Sequence, residues 1–506
     1  MIKQIGLALL GILIGTGHAH AAPVLAAKKM NVLFVAIDDL NDWVGCMGGN
    51  PQVQTPNIDK FNAQGGMVMH DAHCSSTVCG PSRSSFMTGG HCYRTGVYEN
   101  NTNLKDAPKA KDLVTIPEYF SEHGYHSLSM GKIFHKHGTK VAGELDEGEW
   151  AFDEWHKSLP TAGPATRDKP ANGLLDLDGK KAKGKGAVFD WGPSRGNDKT
   201  LMKDFKTATW AAEQLKTRDF DGKPFFMAVG ISKPHLPFYV PQKYYDKYPL
   251  DSIVLPKSFR TDHDDIIRKD GKPLYGDGKP RKNVNDWWAR TDKYKKHKEA
   301  VQAYLATVSF IDDCLGVLLD GLSESQHTDN TIVVLFGDHG WHLGEKLRYG
   351  KTLLWQESTR VPMLFMVPGV TPASKKCHGV VNLIDLYPTL AELCGLPANP
   401  KHDGRSFAKL LRNPDMKWTE PTLTTYQMGN HRIYDGRYSY IAYKGGEELY
   451  DHETDPMEWV NQARNPEFDP IKARLKKHLP KTNEPSSPVN PFDGNKKALK
   501  KKTITK

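Results

Sequence analysis

Beyond its N-terminal segment the chain lacks any apolar run approaching the about 20 residues that a membrane-spanning helix requires. Stable insertion into a bilayer is therefore not expected. Cysteine is scarce too: 506 residues hold seven, at positions 46, 74, 79, 92, 314, 377 and 394. So thin a supply excludes a disulfide scaffold, and an odd number leaves at least one thiol without an intramolecular partner. Acidic residues are missing from the C-terminal stretch "KKALKKKTITK" (496–506), whose six lysines supply most of a formal net charge of +9. The positive excess reads as a solvated, disordered arm with weak attraction to polyanions, so nucleic acid is not an expected partner. No internal repeat is apparent.

What is present describes a globular protein. Hydrophobic residues make up 38% and aromatic residues 10%, and the length suits two or more domains. With 45 glycines and 33 prolines, turns and long connections must be frequent. The N-terminus "MIKQIGLALLGILIGTGHAHAAP" sets one lysine before an apolar core, followed by Ala19-His20-Ala21. That is the pattern of a signal peptide over residues 1–21, with a mature chain beginning near Ala22 and exported, periplasmic or secreted.

The mature chain opens with "MNVLFVAIDDLNDW", an apolar, β-rich run over 32–37 that stops at Asp38-Asp39. "YHSLSMG", "KPFFMAVGIS", "TIVVLFGDHG" and "VPMLFMVPG" are further apolar strands. Between them, "TIPEYFSEHG" carries a capping box of Thr115 and Glu118, with Gly124 as the stop. A long helix places Val301, Tyr304, Leu305, Val308, Ile311, Leu315 and Leu318 on one face. Strands alternating with helices, with polar clusters at the strand ends, predict an open α/β sheet covered on both faces. Residues 136–222 and 252–290 break that rhythm and read as long rim loops. The expected division is a catalytic α/β domain over 29–412, a small α+β domain of antiparallel strands and a helix over 413–485, and the basic tail over 486–506.

Two pairs of residues carry the first chemistry. Asp38 and Asp39 follow a buried strand, where adjacent carboxylates repel unless a cation or hydrogen bonds neutralise them. A helix cap plus a turn is the plainer reading of such a pair. Asp338-His339 ends another buried strand, and parallel strand ends converge on one ligand-binding edge. Three carboxylates and an imidazole suit a hard divalent ion, Ca²⁺ or Mg²⁺ before zinc, with Mn²⁺ as a further alternative; an Asp-His pair can equally be a salt bridge. Lys132 and His135 in "MGKIFH", His235 in "SKPHLPF" and Lys351 in "GEKLRYGKTLLW" also stand at or beyond strand ends. Together with Arg83 they form a receptor fit for a tetrahedral oxyanion, although each alone reads as a surface charge.

Cys79 stands in "CGPSR" (79–83), which matches the Cys-x-Pro-x-Arg signature of the type I sulfatases, whose cysteine an enzyme oxidises to formylglycine. Asp38-Asp39, "GKIFH", "KPHLPF", "DHGWHLGE" and Lys351 follow in family order, and the chain resembles a sulfatase from about residue 30 to 480. It is most similar to the iduronate-2-sulfatase branch, which shares Lys-x-x-His after Gly131, "KPHxPF" and "DHGWxLGE". The resemblance implies an alkaline-phosphatase-like fold: a mixed, mostly parallel central sheet flanked by helices, with a small C-terminal antiparallel sheet plus helix domain. It also implies that Asp38, Asp39, Asp338, His339 and the oxygen on residue 79 bind the cation, Ca²⁺ before Mg²⁺ or Mn²⁺. The commoner family pattern has Asn where His339 stands.

The aldehyde explains the cysteine. A thiol would form an adduct with no easy exit for sulfate, whereas a hydrated aldehyde offers one hydroxyl to attack sulfur and a second whose deprotonation expels sulfate. By resemblance, Arg83 and Lys132 hold the hydrate, His135 takes the proton that triggers elimination, His235 protonates the leaving alkoxide, and Lys351 shares the sulfate's charge. The expected partners are a sulfated sugar, a uronic-acid 2-O-sulfate in the finest reading, and a formylglycine-generating enzyme or equivalent maturase. The rivals are a phosphatase or phosphonate hydrolase of the same superfamily, and a non-catalytic glycan-binding protein with unmodified Cys79. Arg195 in the "DWGPSR" loop, Arg348, His431 and Arg432 are rim candidates for a substrate carboxylate, although each alone reads as a surface charge.

Overall fold

The computed structural model describes residues 29–135, 137–138, 145–146, 148–159, 171, 189–194, 196–269, 271–272 and 286–487. The expected signal peptide, the tail from residue 488 onward, Arg195 and much of the 136–222 segment lie outside these described residues.

The first strand, β1 (Asn31–Ile37), is buried along its whole length. Leu33, Val35 and Ile37 enter one apolar layer, while Val32, Phe34 and Ala36 enter the other. A strand covered on both faces needs apolar residues at every position, which is why 32–37 is unbroken. It lies inside an eight-stranded sheet with β2 (Met67–Met69), β3 (His126–Gly131), β4 (Glu154–His156), β5 (Phe225–Ile231), β6 (Thr331–Gly337), β7 (Met363–Met366) and β8 (Lys375–Cys377). The order across the sheet is β8-β2-β7-β6-β1-β5-β3-β4. Every pairing is parallel except those of β7, which runs against both β6 and β2.

Helices cover both faces. On one side lie α1 (Cys79–Thr88), α2 (Ile116–Glu122) and, later in the chain, the helix Leu386–Leu393, contributing Phe86, Phe120 and Leu390. The capping box forms, with Thr115 N donating to Glu118 Oε2 at 2.9 Å. On the other side lie α3 (Lys203–Thr217) and α4 (His297–Ser323), where Ala208, Ala211 and Leu215 pack with Tyr304, Val308 and Leu315. Helix α3 falls inside the stretch that sequence reading treated as one long loop. Its buried side is built largely of alanines, so its apolar stripe is faint although it packs closely against α4.

A second, four-stranded antiparallel sheet follows: β9 (Thr422–Thr425), β10 (His431–Tyr434), β11 (Tyr438–Tyr443) and β12 (Gly446–Asp451). Leu475 of the helix Asp469–Lys476 packs on it with Ile433, Tyr440 and Leu449. Thr424 Oγ1 donates to Cys74 O at 2.6 Å, joining this sheet to the segment that leads into α1.

The neighbours β6, β1, β5 and β3 end on one edge, and each end carries candidate residues: Asp338 and His339, Asp38 and Asp39, His235, and Lys132. The β5–β3 crossing is unusually close. Gly131 (φ +92°) faces Gly230 in register, and a Cβ on Gly230 would collide with the backbone of Lys132. Gly230→Ala is therefore expected to cost about 3 kcal/mol, at the upper end for overpacking, because backbone must yield. Urea unfolding of the two proteins measures it; an unchanged midpoint would contradict this account of the crossing.

Candidate active site

Asp38, Asp39, Cys79, Arg83, Asp338 and His339 are all fully buried, at 0% exposure. Six such groups in one place demand mutual compensation. Cys79 opens α1, and Arg83, one turn on, donates from Nε to Asp338 Oδ2 at 2.8 Å and from Nη1 to Ile133 O at 3.0 Å. Its Nη2 lies 3.6 Å from Asp38 Oδ1. Lys132 pairs with Asp38, and Lys351 with Asp39. Lys351 Nζ also stands 2.8 Å from Cys79 Sγ. His339 Nε2 faces Cys79 Sγ at 3.3 Å, Asp39 Oδ1 at 3.4 Å and Asp338 Oδ1 at 3.5 Å.

The backbone aims these groups. Asp39 takes a left-handed conformation (φ 64°), and its N–H donates to Asp338 Oδ1 at 3.0 Å. Its carbonyl accepts the Tyr304 hydroxyl at 2.8 Å, and the same hydroxyl accepts Asn41 N at 2.9 Å. Tyr304 reads in the sequence as a plain core position of α4; its polar role was missed because its partners lie on another element. His235 Nδ1 donates to Leu236 O at 2.7 Å, and a ligand atom of His235 lies within 4.8 Å of one each from Asp38, Asp39 and Cys79. Lys233, also unremarked in the sequence, caps this turn by donating to His235 O at 3.0 Å. His135 lies three residues beyond Lys132, partly buried.

Electrostatics sort the groups. Burial opposes ionisation of Asp38, but Lys132, His235, Arg83 and Lys351 outweigh it and hold the carboxyl well below its ordinary range. Burial pushes Asp338 up to about 6, only partly offset by Arg83. Burial, reinforced by Lys351, pushes His339 down to about 3, so its ring is neutral near pH 7. With Nδ1 against Gly340 O at 3.1 Å, the His339 proton belongs on Nδ1 and the Nε2 lone pair faces the carboxylates. Burial together with Asp38 pushes the Cys79 thiol up to about 12. In chains whose Cys79 is still a thiol, that side chain is expected to resist iodoacetamide at pH 8 in the native state and to react on unfolding. Rapid native labelling at residue 79 would contradict the neutral, enclosed thiol.

The cluster also fits a cation. Asp38 Oδ1 and Asp39 Oδ2 are buried without a hydrogen-bond partner among the described residues. Asp38, Cys79, Asp338 and His339 offer ligand atoms within 4.8 Å of one another. Buried, unsatisfied carboxylate oxygens beside a neutral imidazole are a donor set for a divalent ion.

Three of the expected rim residues are buried rather than exposed on a rim. Arg348 is buried, with its guanidinium 6.0 Å from the Trp355 ring. Arg432 is buried too, donating to Thr359 Oγ1 at 2.7 Å and Ser439 Oγ at 2.8 Å, with Glu458 at 3.5 Å. His431, also buried, bonds Thr425 and Asn483. Arg432 and His431 fasten the small sheet to its surroundings, and their partners come from segments that sequence spacing does not connect. None of the seven cysteines, all among the described residues, is paired in a disulfide.

A family model described as Sulfatase matches residues 30–396, and one described as N-sulphoglucosamine sulphohydrolase, C-terminal, matches residues 337–485. The chain belongs to the sulfatase family. A sulfatase of Formosa agariphila is 38% identical over 465 residues, covering 90% of this chain and 87% of that relative. Human iduronate 2-sulfatase is 29% identical over 449 residues, covering 80% and 76%. A solved structure described as a 2-O GAG sulfatase superposes with a TM-score of 0.64 at 21% identity, covering 89% of this chain and 91% of that one. The fold is thus the alkaline-phosphatase-like α/β arrangement of the sulfatases, and the protein is an enzyme that hydrolyses sulfate esters. Membership implies a divalent cation, which the cluster just described can hold. Among the described residues no helix is long and apolar enough to cross a membrane.

Proposed function

We propose that this sulfatase removes sulfate from a sulfated carbohydrate, using formylglycine made from Cys79 and a calcium-class cation. The carrying observation is the convergence of Cys79, Asp38, Asp39, Asp338, His339 and Lys351 in one buried cluster at the sheet edge. A hydrated formylglycine would supply the nucleophile for sulfur, and Ca²⁺, with Mg²⁺ or Mn²⁺ as alternatives, would supply positive charge that lowers its pKa. Asp38, Asp39, Asp338 and His339 would hold the ion. Arg83, locked by Asp338 and by the carbonyls of Lys132 and Ile133, fixes the turn that presents residue 79. Lys132 and Lys351 balance the carboxylates and give the sulfuryl oxygens cationic partners.

His235 serves as the acid for the departing alkoxide. Burial, with Lys132 and Lys351 near, pushes it down to about 3, and an anionic sulfate ester beside it favours its protonated form. His135 takes the proton that releases sulfate. A maturase must act on Cys79 before the enzyme works, and export follows from the leader pattern at residues 1–21.

A uronic-acid 2-O-sulfate is the substrate class favoured here. It is supported by the likeness to iduronate 2-sulfatase and by the "KPHxPF" and "DHGWxLGE" patterns that this chain carries as "KPHLPF" and "DHGWHLGE". A carboxylated sugar sulfate is expected to be cleaved faster than its neutral counterpart in a panel of defined mono- and disaccharides. Equal turnover of the pair would remove the uronate from this reading, and no turnover of any sugar sulfate by matured enzyme would remove the carbohydrate.

A further inference from the structure

Far along the same sheet, β2 and β8 lie side by side in parallel, with Met69 opposite Cys377 and His70 N donating to Cys377 O at 2.8 Å. The residues that follow these strands are His70, Asp71 and His378. Two strand steps, about 10 Å, separate β2 from β6, and none of the three belongs to the catalytic cluster. His378 Nδ1 stands 3.1 Å from Asp71 Oδ2, and His70 Nδ1 stands 3.6 Å from that same oxygen. The two imidazole rings are 4.7 Å apart.

We infer that His70, Asp71 and His378 form a second metal site, for a borderline divalent transition ion such as zinc. Each residue offers a ligand atom within 4.8 Å of the others. Two ligand atoms about 2.0–2.1 Å from a tetrahedral ion stand about 3.3–3.4 Å apart, and the observed 3.1 and 3.6 Å bracket that separation. His70 Nδ1 is buried, and Asp71 Oδ2 at 3.6 Å lies beyond ordinary hydrogen-bond length, so this nitrogen is weakly satisfied by the described residues. Arg360, the guanidinium beside Asp71, is already paired with Asp42 and does not claim the carboxylate.

Two imidazoles and one carboxylate select a different ion from the catalytic cluster. Nitrogen donors favour zinc, nickel or copper over calcium, whereas the carboxylate-rich cluster favours a hard ion. The His378 side chain is 66% exposed, so the ion would keep an open coordination position toward solvent. Joined through one ion, the ends of β2 and β8 would be clamped at the sheet's edge, where β8 has a single neighbour.

The test uses the full chain with its catalytic cluster saturated by calcium. Equilibrium dialysis against ZnCl₂ near pH 7.5 counts the zinc retained. One zinc per chain is expected for the parent protein and for His478→Ala, an exposed histidine elsewhere. His378→Ala and His70→Gln are expected to bind that zinc about tenfold or more weakly. Cobalt in place of zinc should give a visible absorption band lost in the same two variants. Because His378 is exposed, its replacement leaves the fold intact, which a thermal melt without added metal verifies. Equal zinc retention by the parent and His378→Ala would overturn the site, as would a parent protein that retains none; neither result bears on sulfatase activity.

Discussion

Replacing Cys79 with alanine is expected to lower kcat/KM for a sulfate ester by about ten-thousandfold or more, the scale seen when a covalent nucleophile is removed. The melting temperature should stay close to that of the parent, since a small buried side chain becomes one slightly smaller. The size of the effect follows from the setting of residue 79. It opens α1 where Lys351 and His339 face it at 2.8 and 3.3 Å, and Asp38 lies in the same cluster. As a thiol it is neutral and enclosed, a poor nucleophile and a worse leaving partner for sulfate. Rates measured on matured parent and variant, made in the same host, check the expectation. A loss of less than tenfold would show that residue 79 is not the attacking group.

The second large effect concerns the cation. Asp338→Asn keeps the shape of the side chain but removes a charge from the centre of the cluster. It is expected to weaken divalent-ion binding on the order of 100-fold or more and to lower activity in step. Asp338 now receives Arg83 Nε at 2.8 Å and Asp39 N at 3.0 Å. The amide keeps one accepting oxygen, so one of these two bonds is lost together with the charge, and a thermal melt of the variant reads the architectural part. Calcium titration by calorimetry and rates at saturating calcium separate the two readouts. Unchanged calcium affinity in the variant would remove Asp338 from the ligand set.

Much of this site was legible in the sequence because its residues sit where patterns change. Asp38-Asp39 and Asp338-His339 interrupt apolar runs that only buried strands require, and parallel neighbours bring such interruptions together. "CGPSR" was legible as a signature and not as geometry: nothing in its spacing says that Arg83 will reach Asp338, 255 residues away. The direction of β7 was not legible, since apolar composition is the same for a strand running either way. Helix α3 was missed because alanines carry little hydrophobic contrast.

The rim arginines went wrong for a related reason. Arg348 and Arg432 read as surface charges on prior grounds, yet both are buried. Arg432 is compensated by Thr359, Ser439 and Glu458, which only the folded chain assembles. Tyr304 shows the same limit, since a helical stripe reveals that a side chain faces inward but not what its hydroxyl will meet.

Peptide mass spectrometry of residue 79, on protein purified from its native host, probes the chemistry at its source. The expected spectrum shows the CH₂–SH of Cys79 replaced by CHO, or by the hydrate CH(OH)₂, in the enzyme fraction that releases sulfate. An active fraction in which residue 79 is uniformly an unmodified cysteine would contradict the formylglycine mechanism outright.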